Sequence, residues 1–131
     1  MLTAALAAAT IAAGCGGGDD EGTTAATTTG GGGGGGSQTV EMTEYEFVPN
    51  DLKAAEGDTI TADNKGKLEH NLTIEEAPDA EKESKQLAAT SDVQAGSSAD
   101  LTVNVDPGKH SIVCTIAGHR ELGMIGTIDV K

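Results

Sequence analysis

From Gln38 onward, apolar and polar residues alternate with a period of two, and turn-forming residues repeatedly interrupt the alternation. Thr39-Val40-Glu41-Met42-Thr43 puts Val40 and Met42 on one face of a strand, because successive strand side chains point to opposite sides. Glu44-Tyr45-Glu46-Phe47 extends the alternation with both aromatics on one face, and Val48-Pro49-Asn50-Asp51 breaks it. Glu56-Gly57-Asp58 predicts a turn, Thr59 to Ala62 a strand, and Asp63-Asn64-Lys65-Gly66-Lys67 a second turn. A further strand is predicted over Leu68 to Ile74. Pro78 to Ser98 is acidic, rich in Ala and Ser, and weakly periodic. It reads as an irregular excursion with one helical turn near Glu81–Leu87. Leu101, Val103 and Val105 then alternate, Asp106-Pro107-Gly108-Lys109 turns the chain into His110–Cys114, and Gly126 to Val130 ends with Ile128 and Val130. Seven to eight short strands separated by turns predict an all-β antiparallel sandwich over residues 38–131.

The first 37 residues follow a different pattern. Leu2 to Ala13 is apolar apart from Thr3 and Thr10, and it is shorter than the roughly 20 residues a membrane-spanning helix needs. It fits the apolar region of a signal peptide over residues 1–14, although Met1-Leu2-Thr3 lacks the basic residues such a peptide usually starts with. The alternative is an Ala-rich helix capped by Gly14. The ending Ala12-Ala13-Gly14-Cys15 resembles a bacterial lipobox, which implies acylation of Cys15 and makes it the mature N-terminus. Residues 16–37 carry no apolar periodicity, so the stretch from Cys15 to Ser37 reads as a lipidated cysteine and a Gly/Thr-rich linker with a reach of about 25 Å. The expected location is outside the cytoplasm, at the outer face of the cytoplasmic membrane or in the periplasm, with the lipid as the sole membrane contact.

Composition limits the remaining possibilities. The formal net charge is −13, and no basic cluster occurs that could neutralise phosphates, which argues against a nucleic-acid partner. One Tyr, one Phe and no Trp leave the core to Val, Ile, Leu and Ala. Such a thin core can gain noticeably from a bound metal. The chain is expected to act as a monomer.

The chemistry is concentrated in Cys114-Thr115-Ile116-Ala117-Gly118-His119-Arg120-Glu121-Leu122-Gly123-Met124. One loop at a strand end supplies a thiolate, an imidazole and a thioether. A copper site of the electron-transfer kind needs two imidazoles and a thiolate, with a weak axial thioether. The second imidazole must come from elsewhere, and His70 on a separate strand is the natural candidate. Thiolate and thioether favour Cu(I), imidazole suits both oxidation states, and a geometry held between the two preferences lowers rearrangement on electron transfer. His110, two strand steps from Cys114, lies about 13 Å away and reads as structural. Arg120 and Glu121 read as solvated loop charges.

Cys-x4-His-x4-Met followed by Gly-x-Ile-x-Val, with an upstream His-Asn, resembles the plastocyanin, auracyanin and halocyanin branch of the cupredoxins. Tyr45-Glu46-Phe47-x-Pro49, Glu56-Gly57-Asp58-Thr59, Asn64-x-Gly66 and Asp106-Pro107-Gly108 extend the resemblance over about Val40 to Val130, with Pro78–Ser98 the poorest match. The resemblance implies a Greek-key β-sandwich and a one-electron carrier holding one mononuclear type 1 copper ion on His70, Cys114, His119 and Met124. It also implies that Asn71 braces Thr115 and so ties the two ligand segments together. Redox partner proteins are expected to dock over the His119 edge, on a face that includes Ala117 and Leu122.

A non-redox copper carrier or buffer is the alternative, and a zinc-stabilised or metal-free adhesion sandwich is a third reading. Three histidines cannot build a trinuclear cluster beside this site, which disfavours a multicopper oxidase. A dinuclear centre with two bridging cysteines is excluded because Cys15 is the only other cysteine. No nucleophile motif or acid/base pair points to an enzyme.

Overall fold

A computed structural model describes residues 35–131. Nine strands follow one another: β1 (Ser37–Thr43), β2 (Glu46–Val48), β3 (Asp51–Ala54), β4 (Thr59–Asn64), β5 (Thr73–Glu75), β6 (Gln86–Ala89), β7 (Ser98–Thr102), β8 (Gly108–Val113) and β9 (Ile125–Val130). They form a four-stranded sheet in the order β2-β1-β4-β7 and a five-stranded sheet in the order β3-β9-β8-β5-β6. The expected all-β sandwich is present, and the described residues contain no helix. The predicted signal peptide, the lipidated Cys15 and nearly all of the linker lie outside the described residues.

The apolar alternation does build the interior. In β4 the inward positions are Ile60, Ala62 and Asn64, all buried, while Thr59, Thr61 and Asp63 between them are only partly covered. Val40 and Met42 from β1, Leu101 from β7, Ile112 from β8, and Ile128 and Val130 from β9 meet them in one core cluster. Val103 and Val105 join the same cluster just beyond the end of β7.

Four details correct the sequence-based expectations. First, the sheets are mixed: β1 pairs parallel with β4, and β3 pairs parallel with β9. After β1 and β2 the chain crosses to the other sheet as β3 and returns as β4, so β4 runs alongside β1 in the same direction. Second, Tyr45 is not on a strand with Phe47. The chain turns at Glu44–Tyr45, with Tyr45 at φ 66°, before Phe47 enters β2. Third, β5 starts only at Thr73, and His70 precedes it in an isolated bridge to Val93. Fourth, residues 78–98 contain the strand β6 and no helical turn.

That excursion matters to the site because it closes the outer face of the five-stranded sheet. β5 is buried at all three positions, and β8 is buried continuously from His110 to Val113, which strict alternation would not produce. Glu75 and Ser111 face each other in register, and Ser111 donates its amide to the Ala77 carbonyl at 2.9 Å. In β9, Gly126 is required because a Cβ there would collide with the Asn50 carbonyl oxygen.

Candidate metal centre

Three local devices bring the polar donors together. Asn64 occupies a core position of β4, and its side chain is fully employed: Nδ2 donates to the carbonyls of Leu68 at 2.7 Å and Val93 at 2.8 Å, and Oδ1 accepts from Gly66 at 2.9 Å. This fixes the turn that delivers His70. The His70–Val93 bridge, with amides donating both ways at 3.1 and 2.7 Å, holds the segment from its other side. Antiparallel pairing of β5 with β8 in register Thr73↔Val113 then sets His70 and Asn71 beside Cys114 and Thr115.

Asn71 stitches the two segments. Its Oδ1 accepts the Thr115 amide at 2.9 Å, and its Nδ2 donates to Thr115 Oγ1 at 3.0 Å and to Asp92 Oδ1 at 2.9 Å. The Asn71 amide donates to Cys114 Sγ at 3.5 Å. The loop closes on itself where the Cys114 amide donates to the Met124 carbonyl at 3.1 Å and the Met124 amide to the His119 carbonyl at 3.0 Å.

His70, Cys114 and His119 are buried, and their donor atoms all lie within 4.8 Å of one another. The two Nδ1 atoms face each other at 3.2 Å, and Cys114 Sγ lies 3.4 Å from His119 Nδ1. Met124 is fully buried at the end of the same loop. Burial, and then the neighbouring His119, hold the His70 pKa below the ordinary imidazole value. Burial pushes the Cys114 thiol up, partly countered by the amides of Asn71 and Ile116. Two imidazole nitrogens and a sulfur converging in a buried setting suit a cation that displaces the thiol proton. His70 Nε2 has no hydrogen-bond partner among the described residues, so the ring is not there to satisfy the core. The donor set of two imidazoles and a thiolate therefore fits copper.

The surroundings include residues that the alternation pattern did not flag. Tyr45 meets the His119 ring edge-on, with centroids 5.2 Å apart. Glu44 accepts the amides of Lys67 and of Leu68, the latter at 3.1 Å, and these hydrogen bonds, with that of Lys67 largest, lower its pKa. A Cβ at Gly66 would sit 3.2 Å from His70 Nε2, so this glycine lets the ring approach the backbone. One readable signal existed for Asn64, a polar residue in phase with Ile60 and Ala62. Arg120 is a correction. It is not a solvated charge but an ion-pair partner of the buried Glu75, with side-chain exposures of 11% and 5%. Glu121 is exposed, as are the proposed docking residues Ala117 and Leu122. His110 is remote from the donors, its Nδ1 and Nε2 lying 3.1 and 2.9 Å from the carbonyls of Glu76 and Asp106.

Comparison with known proteins agrees with this geometry. Residues 35–131 match the family described as copper binding proteins of the plastocyanin/azurin family. The solved structure of auracyanin B is similar over 73% of this chain and 88% of its own, with 21% identity and a TM-score of 0.63. Reduced auracyanin from Roseiflexus castenholzii is similar over 76% of this chain and 99% of its own, with 18% identity and a TM-score of 0.64. A reduced amicyanin variant gives 22% identity and a TM-score of 0.54 over 73% of this chain and 83% of its own. At such identities the structural likeness speaks to the fold. No curated protein sequence matches the chain significantly. The family match spans the whole described domain, and the chain belongs to the copper-binding plastocyanin/azurin family, with one type 1 copper ion as its cofactor.

Proposed function

We propose that this protein is an exported, membrane-tethered blue copper protein that passes single electrons between redox partner proteins. His70, Cys114 and His119 would hold the copper as its strong ligands, with Met124 supplying a weaker thioether. The observation that carries the reading is the convergence of two imidazole nitrogens and one sulfur within 4.8 Å in a buried setting. Copper bound there supplies a Cu(II)/Cu(I) couple. The chain's own contribution is rigidity: Asn71 and Thr115 lock the thiolate segment against the His70 segment, so neither has to move when charge changes.

Burial of all three donors also favours a shuttle over a carrier, because a delivery site must open to pass its metal on. Access for electrons is arranged around His119, which is 8% exposed. In the same loop Ala117 and Gly118 are exposed, and Leu122 is 59% exposed. An apolar rim sheds water without fixing tight charge pairs, which suits brief docking. The acidic remainder, at a net charge of −13, would steer a basic partner toward it. Cys15 and the linker that follows it account for tethering, and Cys15→Ser should move the protein to the soluble fraction with its visible spectrum unchanged.

The deciding experiment is the visible spectrum and voltammogram of the purified protein with added Cu(II). An intense blue band and a reversible one-electron wave are expected. Pale, readily exchanged copper would replace the shuttle reading with the carrier reading.

A further inference from the structure

The backbone of the loop that supplies three of the proposed ligands is braced mainly against itself rather than against the neighbouring segments. Its amide hydrogen bonds between residues 116 and 125, such as His119 to the Ile116 carbonyl at 3.0 Å and Gly123 to the Arg120 carbonyl at 2.9 Å, stay within the loop. Gly118 and Gly123 both sit at positive φ, +84° and +101°, where glycine is favoured and backbone constraint is weakest. Apart from the contacts of the Cys114 and His119 donor atoms themselves, the described side-chain hydrogen bonds from this loop to the rest of the domain are made at two points. One is Thr115, directly after Cys114, bonded to Asn71. The other is Arg120, directly after His119, bonded to Glu75.

The second anchor is built as carefully as the first. Arg120 Nη2 donates to Glu75 Oε1, and Nη1 donates to the Ala80 carbonyl at 3.1 Å. Glu75 Oε2 accepts the Ser84 amide at 3.1 Å, and Ser84 Oγ lies 3.5 Å from it while accepting the Ala77 amide at 3.0 Å. Glu75 ends the strand that begins just after His70, so the pair joins the His70-bearing segment to the His119-bearing loop. It also recruits the excursion over residues 77–84 as a backing plate.

We infer that the buried Glu75–Arg120 pair is a positioning device for the copper site: it holds the His119 side of the loop in register with His70, as Asn71 and Thr115 hold the Cys114 side. The inference rests on the reading of His119 as a copper ligand. Guanidinium suits this task because its planar fork bonds a carboxylate and a carbonyl at once, which an ammonium cannot do with the same geometry. The pair would thereby hold the His119 imidazole in place relative to His70 whether or not the site's charge changes. Without the pair, Thr115 is the loop's one remaining side-chain anchor outside the ligand atoms, beside the strand pairing at its two ends.

The test uses the full chain loaded with copper and three variants, Arg120→Gln, Arg120→Lys and the double Glu75→Gln/Arg120→Gln. Copper affinity should fall about 10-fold or more in Arg120→Gln, as is usual when the support of a metal ligand is removed. The visible and electron-paramagnetic spectra should shift, and amide exchange over 115–124 in the metal-free protein should quicken. The double variant strands no buried charge, so a role limited to stability would be cured in it. A positioning role predicts that its spectra and affinity stay altered, while Arg120→Lys, which keeps the charge but not the planar fork, recovers only part of both. If Arg120→Gln fails to fold, the other two variants decide the question. A double variant that matches the wild type in affinity, spectrum and loop exchange overturns the inference. A wild-type protein that never forms the blue site overturns the ligand assignment, and this inference with it.

Discussion

At one end of β8 the His110 ring has its two nitrogens 3.1 and 2.9 Å from the backbone carbonyls of Glu76 and Asp106. Beyond the other end, beside Cys114, the His70 and His119 rings point Nδ1 at Nδ1 across 3.2 Å, and His70 Nε2 meets no partner among the described residues. All three rings are buried to a similar degree. What separates them is the destination of their lone pairs and protons. A histidine that works for the fold has its polar atoms absorbed by the backbone, whereas one available to a metal keeps a nitrogen aimed at other donors. Burial alone does not distinguish the two roles. The hydrogen-bond account does.

Three substitutions separate the two kinds of histidine and the surface above them. The largest effect is expected from His70→Leu, which removes one strong ligand. The blue band should vanish, while the metal-free protein keeps its stability or gains about 1 kcal/mol, because an unsatisfied buried nitrogen has been replaced by apolar atoms. Urea unfolding of the metal-free protein together with copper titration reads both halves. A clear loss of metal-free stability would mean that His70 is a structural histidine after all.

His110→Leu should behave in the opposite sense. It removes the ring N–H that bonds a backbone carbonyl and should cost about 1–3 kcal/mol in urea unfolding, with the copper spectrum unchanged. A spectrum that moves with His110 would show that the two ends of β8 are coupled, and the contrast would fail.

The smallest effect concerns the surface over His119. Leu122→Glu changes a side chain that is 59% exposed, so stability should move by less than about 0.5 kcal/mol. The copper spectrum should stay intact while electron exchange with a basic redox partner slows severalfold. Stopped-flow mixing at two salt concentrations checks this, since screening should also reduce the wild-type rate. An unchanged rate would place electron entry elsewhere and leave the buried site untouched.

Alternation along the chain was enough to assign the apolar face of most strands, and spacing was enough to group three of the ligand-type residues in one loop. Val40 and Met42, Leu101, Val103 and Val105, and Ile128 and Val130 were readable as core positions because strand side chains alternate strictly. Cys114, His119 and Met124 lie within eleven residues of one another, so covalent connection alone keeps them close, and their donor types indicate the metal. The rest depended on packing between segments distant in the chain. The parallel pairings β1–β4 and β3–β9 follow from a crossing between sheets that alternation does not encode. Chemistry nominated His70, but its approach to Cys114 depends on the register of β5 against β8 and on Asn64 holding the preceding turn. Arg120 illustrates the same limit. A charged residue in a polar loop reads as solvated until the excursion over 77–84 folds across the sheet and leaves it facing Glu75, 45 positions away. Periodicity records which side of a strand avoids water, but only packing reveals what covers the other side.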